Sequence, residues 1–342
     1  MKIAVLLFGQ PRFLNKTKNF IKEEFDLPGH DVHYYFHFWD HIGFIPEGKE
    51  KLYDRQELID QILQITTKHG LPGSPRRDEG FNDIVIEDYT ELDNICKKID
   101  NYRKLFTHPL PRRHLTAPLE ALRYKFGQHL SIQTCFNKIK EFEQQRNFKY
   151  DIIVKTRTDI VYKPQDVYSS VEEYYNEKNK YYTNIDFNEP TVKCRALRII
   201  NDKKYHLPIH TFTKEEIRLS ENKSSWIKYV DNYQTRPAFN DWTLIANRAA
   251  AEFMYGCWYD NYFITLIKDI VNTKNNKSLI SQSEHSLQGQ FLLNYNIKAE
   301  RSLPRRDIRV IDPSVTKQDF DTKGTITPNL DLREQLLKYT FK

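Results

Sequence analysis

Cysteine is scarce in this chain: four in 342 residues (Cys96, Cys135, Cys194 and Cys257), far apart, with no Cys-x-x-Cys pair and no Cys/His metal spacing. That argues against a zinc module or a dense disulfide framework, and the simple inference is a reducing compartment. Long hydrophobic runs are also missing. No apolar stretch approaches the roughly 20 residues that a membrane span needs. The first run, Ile3 to Phe8, is short and has no small-residue cleavage site behind it, so it reads as a buried strand rather than a signal peptide. An excess of one charge is lacking as well, with 52 Lys+Arg against 46 Asp+Glu and a formal charge of +6. With so small a charge and no nucleic-acid motif, a nucleic-acid partner is not expected. There is no Gly-x-Gly-x-x-Gly fingerprint, no P-loop Gly-Lys-Ser/Thr and no internal repeat.

What remains is a composition of 39% hydrophobic, 13% aromatic and 29% charged residues with a mean hydropathy of −0.70. A chain of this size and make-up can bury a full core, as two domains or as one α/β domain with insertions. Asn15, Asn222 and Asn276 head glycosylation-type triplets, read as chance in an Asn- and Lys-rich chain with no secretion signal.

The pattern along the chain is that of an α/β sheet. Ile3 to Phe8 is uninterruptedly apolar, as for a strand buried on both faces, and ends in Gly9-Gln10-Pro11-Arg12. A helix is expected around Lys16 to Phe25 and a second, aromatic strand from Val32 to Trp39. From 41 to 80 the pattern weakens to one helical stretch near Arg55 to His69, which looks like an insertion rather than core. A short strand at Asn82 to Ile86 and helical spacing at Glu91 to Leu105 follow. The longest helical pattern runs from Leu119 to Phe148, and it feeds directly into Tyr150-Asp-Ile-Ile-Val-Lys-Thr-Arg-Thr-Asp159. Helix into short β-branched strand into charged turn is βαβ grammar, whose ligands sit beyond the strands' carboxyl ends; Arg157 and Asp159 should therefore line a crevice. Later elements are a strand at Trp242 to Ala246, a helix from Arg248, a helix at Glu284 to Asn294 opened by Ser283, and a last strand near Ile308 to Ile311. A polar tail from 312 to 342 completes the chain.

Several of these residues are of types that carry chemistry. Asp159 can hold a divalent cation or accept from a sugar hydroxyl, and Arg157 can pair with a phosphate bidentately; together they suit a nucleotide diphosphate, or else form an ion pair that merely closes the loop. Gly9, Gln10 and Arg12 offer close backbone approach and amide and guanidinium donors. Asp40, after Trp39, could bond a ribose or a base edge, although such aromatics are more often core. Glu284 and Asp241 are carboxylates at a helix start and before a strand, each able to serve as a general base or to act only locally. Gln128 on the long helix faces the same strand end. The basic pairs Arg76-Arg77, Arg112-Arg113 and Arg305-Arg306 read as solvated loops or contacts for an anionic ligand. Tyr174, Tyr175, Tyr181, Tyr182, Trp226, Trp242 and Trp258 offer flat faces to sugars, but most should be packing.

Taken in order, Ile3 to Arg12, Tyr35-Phe-His-Phe-Trp-Asp40, Tyr150 to Asp159 and Ser283 to Leu293 resemble the WavE-like lipopolysaccharide-synthesis glycosyltransferases and their relatives in large DNA viruses and phages. The resemblance spans about residues 1 to 310, with gaps over 41 to 115 and 163 to 235. It implies a GT-A (Rossmann-like) nucleotide-sugar transferase fold, with a mixed, mostly parallel central sheet flanked by helices. It also implies one catalytic domain over 1–311, with an insertion at about 41–80 and an acceptor-side region at about 163–235. The implied function is transfer of a sugar from a nucleotide-sugar donor, UDP-sugar favoured, to a glycan acceptor, by inversion. In this resemblance Gly9, Gln10 and Arg12 border the nucleotide, Asp40 lies near the nucleoside, and Gln128 or Lys125, on the Arg123 to Gln128 stretch of the long helix, either touches the donor or is simply a solvated helix face. Arg157-Thr158-Asp159 occupies the place of the Asp-x-Asp motif, with Asp159 as ligand of Mn²⁺ or Mg²⁺, and Glu284, or less readily Asp241, is the base. Arg157 stands where the first Asp would be, which puts the metal in question. The expected setting is cytoplasmic, in a bacterium or a virus-infected cell, with peripheral membrane contact left open. A catalytically silent carbohydrate-binding scaffold on the same fold, or a basic nucleic-acid-associated protein, are the alternatives.

Overall fold

The computed structural model describes residues 1–11, 14–40, 53–66, 81–88, 91, 92, 94, 118–164, 170–194, 197–200, 236–239, 243–256, 297–301 and 306–310. Strand β1 (Lys2–Gly9) leads into helix α1 (Leu14–Glu24) and strand β2 (Asp31–Trp39). Helix α2 (Arg55–Thr66), strand β3 (Phe81–Glu87) and the long helix α3 (Pro118–Arg146) follow. Next come β4 (Ile152–Thr156), β5 (Ile160–Pro164), helix α4 (Val171–Thr183), β6 (Thr191–Cys194), β7 (Leu197–Ile200) and β8 (Arg236–Phe239). The last described elements are β9 (Thr243–Asn247), the short helix α5 (Arg248–Ala251), β10 (Lys298–Arg301) and β11 (Arg306–Val310). None of the described helices is long and apolar enough to cross a membrane.

The main sheet has seven strands in the order β10-β6-β9-β4-β1-β2-β3. All neighbours run parallel except β9, which is antiparallel to β4 and β6. The protein is thus a mixed α/β fold with a mostly parallel sheet flanked by helices, as expected. Two small antiparallel pairs, β5 with β11 and β7 with β8, stand outside it.

Why β1 and β4 lie at the centre follows from their composition. Ile3, Ala4, Val5, Leu6 and Leu7 are fully buried, as are Ile152, Ile153 and Val154. Only a strand covered on both faces can afford no polar alternation. One face holds Ile3, Val5, Leu7, Ile152 and Val154 against α1, α2 and α4, through Ile21, Phe25, Leu58, Ile62, Tyr181 and Tyr182. The other face is covered by α3, whose buried Ile132, Cys135, Phe136 and Ile139 recur at helical spacing. Cys135 Sγ lies 4.0 Å from the Leu7 carbonyl and 3.9 Å from that of Tyr35, so the helix crosses directly over β1 and β2.

One expectation is modified here. The 41–80 stretch contributes α2 to the main core, because Leu58, Ile62 and Ile65 fall on one helical face and meet α1. Most α4 tyrosines are packing groups, as expected: Tyr174, Tyr181 and Tyr182 are buried, and Tyr175 is half-buried. The Tyr182 hydroxyl donates to Glu24 at 2.5 Å, which binds α4 to α1.

Candidate active site

The chain builds β1, β2 and β3 outward in one direction, then returns through α3 to place β4 on the other side of β1. This reversal makes a topological switch point between β1 and β4, where neighbouring loops leave in opposite directions and open a crevice at the strands' carboxyl ends. Gly9-Gln10 leaves β1 there, and Arg157-Thr158-Asp159 leaves β4 beside it.

Gly9 turns out of the sheet with φ of +88°, a left-handed conformation that costs a residue with a Cβ about 1 kcal/mol or more. Threonine 158 joins the two turns. Its hydroxyl donates to the Gln10 carbonyl at 3.2 Å, and its own carbonyl accepts from the Thr17 hydroxyl of α1 at 2.6 Å. Tyr53, ahead of α2, donates its hydroxyl to the Pro11 carbonyl at 3.0 Å. The loop after β1 is therefore fixed from both sides.

Between the turns lies a cavity of about 150 Å³. Its apolar walls are Phe8, Trp39 and Leu92, and its polar ones are Gln10, Gln128, Arg157 and Asp159, with Gly9, Gly127 and Thr158 completing the lining. Gly127 is what allows α3 to come this close to β2. A Cβ there would stand 2.8 Å from Leu92 Cδ2 and 3.2 Å from Trp39 Nε1. The Gly127 carbonyl accepts from Trp39 Nε1 at 3.2 Å and from the Ser131 hydroxyl at 2.7 Å, which holds the indole in the wall.

The charged side of the cavity is one ion pair. Arg157 Nε donates to Asp159 Oδ1 at 2.8 Å and a terminal nitrogen to Oδ2 at 2.5 Å, so both carboxylate oxygens are engaged by one guanidinium. The Asp159 side chain is 5% exposed and that of Arg157 28%. Lys155, two residues earlier on the strand, is buried with its ammonium 5.2 Å from the centre of the Phe8 ring.

Of the residues singled out in the sequence, Gly9, Gln10, Gln128, Arg157 and Asp159 come together around this cavity. Asp40 follows β2, is half-buried and does not line the cavity; its N–H donates to the Glu87 carbonyl and its carbonyl accepts from Tyr53 N–H. Arg12, Asp241 and Glu284 lie outside the described residues, as do Trp226, Trp242 and Trp258. On β2, the fully buried His37 sets Nε2 3.1 Å from Glu87 Oε2. This contact holds the Glu87 carboxyl below the usual carboxylate range, against the opposing pull of partial burial. Sequence reasoning missed Thr158, Phe8, Leu92 and Gly127. Only Thr158 carried a signal, through its place between Arg157 and Asp159.

Both Asp159 carboxylate oxygens are engaged by the Arg157 guanidinium, and no group of three or more His, Cys, Asp or Glu side chains suited to a metal occurs among the described residues. A divalent cation bound at Asp159 would sit beside this guanidinium, a like charge that opposes it.

No family model matches the sequence, and no curated protein does. Among solved structures, the galactosyltransferase LgtC in complex with donor and acceptor sugar analogs aligns over 87% of this chain and 73% of its own, at 10% identity and a TM-score of 0.32. The WbbM bifunctional glycosyltransferase, in its apo structure, aligns over 87% of this chain at 9% identity and a TM-score of 0.28. This chain spans only 38% of WbbM. Neither likeness is close enough to carry the properties of those proteins to this chain.

Proposed function

We propose that the chain is a GT-A-type glycosyltransferase, related to the WavE-like enzymes, that moves a sugar from a nucleotide donor, UDP-sugar favoured, to a glycan acceptor. The observation that carries this reading is the Arg157–Asp159 pair at the switch point, facing a cavity with apolar walls and amide side chains. A doubly wound sheet takes nucleotides at this location. The cavity's volume of about 150 Å³ falls below the roughly 300–1,000 Å³ usual for a whole small-molecule ligand. It therefore suits one end of a sugar nucleotide, the base between Trp39, Phe8 and Leu92 with Gln10 and Gln128 at its polar edges. The diphosphate then passes Arg157, and the sugar extends outward.

Transfer requires that the charge growing on the leaving diphosphate be stabilised and that the acceptor hydroxyl lose its proton. Arg157 supplies the first function: a planar guanidinium takes two phosphate oxygens at once and needs no reorganisation of backbone. Glu284, or Asp241, supplies the second, with inversion at the transferred carbon. The fixed turn at Gly9, tied through Thr158, keeps the donor's phosphates in register with the reacting bond.

A thermal-shift panel of UDP-, GDP-, CMP- and dTDP-sugars tests the reading, since a ligand that binds the native state raises its apparent stability. The expected result is a shift with one nucleotide class that Arg157→Gln abolishes. Silence across the panel, with binding of free oligosaccharide instead, would favour a carbohydrate-binding scaffold on the same fold.

A further inference from the structure

The same ion pair carries a more specific conclusion, which rests on the reading of the cavity as a nucleotide-sugar site. We infer that Asp159 is a place-holding anion for Arg157, which gives up the guanidinium to the donor's diphosphate, and that the site binds its donor without a divalent cation.

Three observations lead to this. The carboxylate meets Arg157 in a two-point, fork-to-fork arrangement, with contacts of 2.8 and 2.5 Å. That is the geometry in which a guanidinium also takes a phosphate, so one anion can replace the other on the same donors. Second, the two partners differ in access: the carboxylate is 5% exposed and the guanidinium 28%. An arriving anion therefore reaches the arginine before a cation reaches the aspartate. Third, the backbone that carries both residues is held by Thr158, through its bonds to Gln10 and Thr17. The exchange thus requires only side-chain rotation, while the turn keeps its shape.

A cation-ligating aspartate would behave in the opposite way. To bind Mn²⁺ or Mg²⁺, Asp159 would have to leave Arg157, and the metal would then sit within a few ångströms of the displaced guanidinium, a like charge that opposes its binding. With Arg157 in the position where the resemblance expects a first metal-binding aspartate, the segment Lys155 to Asp159 holds two cations and one carboxylate. Of these, Arg157 and Asp159 line the cavity, while Lys155 is buried beside Phe8.

Titration calorimetry on the full chain with UDP, and with inorganic pyrophosphate as a base-free probe, separates the possibilities. In EDTA the wild-type protein is expected to bind UDP, with an affinity that added Mn²⁺ changes by less than about threefold. Arg157→Gln is expected to lose about tenfold or more, roughly 1.4 kcal/mol. Asp159→Asn, which removes the competing anion but keeps the shape, is expected to bind as tightly as wild type or tighter. UDP binding that needs Mn²⁺, or that vanishes in Asp159→Asn while the variant stays folded, would overturn the inference and leave the donor site standing. Wild-type protein that binds neither UDP nor pyrophosphate in either buffer would overturn it together with the proposed function. The wild-type comparison with and without Mn²⁺ needs no variant to fold.

Discussion

Gly127→Ala probes the cavity with the smallest available change. The new Cβ would stand 2.8 Å from Leu92 Cδ2 and 3.2 Å from Trp39 Nε1, where ordinary contact begins at 3.4 Å. The neighbours must therefore yield by 3.4 − 2.8 = 0.6 Å and 3.4 − 3.2 = 0.2 Å. Leu92 and Trp39 are both essentially unexposed, so neither can move outward without loosening the wall. Overpacking of this kind costs about 1–3 kcal/mol. Against it stands the gain of about 1 kcal/mol from replacing a mid-helix glycine by alanine. The net is a destabilisation of about 0–2 kcal/mol, which lowers Tm by no more than a few degrees for a chain this long. The effect on ligand is larger, because the methyl and the displaced indole both intrude on the cavity. Donor-nucleotide affinity, measured by calorimetry, should fall by about tenfold or more (~1.4 kcal/mol) while the protein remains folded. A folded Gly127→Ala protein that binds nucleotide as wild type does would refute the assignment of the cavity.

Gly9→Ala meets no atom within 4 Å, so its cost is the backbone strain at φ of +88°, about 1–2 kcal/mol in denaturant unfolding; a steric clash would give more, and an unchanged stability would mean that the turn is not held as described. His37→Leu should return the Glu87 carboxyl toward its ordinary value, because the imidazole contact is the main cause of its lowering. A depressed carboxyl stabilises the fold above its unfolded-state pKa of about 4.3 and loses that contribution as pH falls through the folded value. The variant should thus be less stable than wild type at neutral pH, with the deficit shrinking as pH falls below about 4.3, read by NMR titration of Glu87 and by acid unfolding; an unmoved Glu87 titration would show that His37 is not the cause. Tyr182→Phe removes the 2.5 Å hydrogen bond to the buried Glu24 and should cost about 1.5–3 kcal/mol with no change in nucleotide affinity, since it lies on the sheet face away from α3; loss of binding in a folded protein would place the ligand elsewhere.

Much of the sheet was legible because its central strands are buried on both faces. Ile3 to Phe8 and Ile152 to Val154 have no polar alternation, so β1 and β4 stood out, as did α3 by its apolar spacing. The antiparallel entry of β9 was not legible: Trp242 to Ala246 reads as a strand, but nothing local states its direction, which only pairing to β4 and β6 decides. The membership of α2 in the core was hidden for a related reason, since its neighbours in sequence are polar while its partners lie on α1. At the site, Gly9, Gln10, Arg157 and Asp159 could be found because strand ends at a switch point face a crevice wherever they occur. Gly127 and Leu92 could not, because their role comes from the approach of α3 to Trp39, a tertiary fact with no trace in spacing. Arg157 and Asp159 were visible as charges, with a loop-closing ion pair as one of two readings, but the bidentate geometry on which the metal inference rests was not.

The most direct measurement is a crystal structure of the protein with a UDP-sugar, grown without divalent cations. The account predicts the base between Trp39, Phe8 and Leu92, and diphosphate oxygens about 2.7–2.9 Å from the Arg157 guanidinium, with Asp159 released from it. A nucleotide bound elsewhere, with Arg157 still closed on Asp159 and the cavity empty, would contradict it.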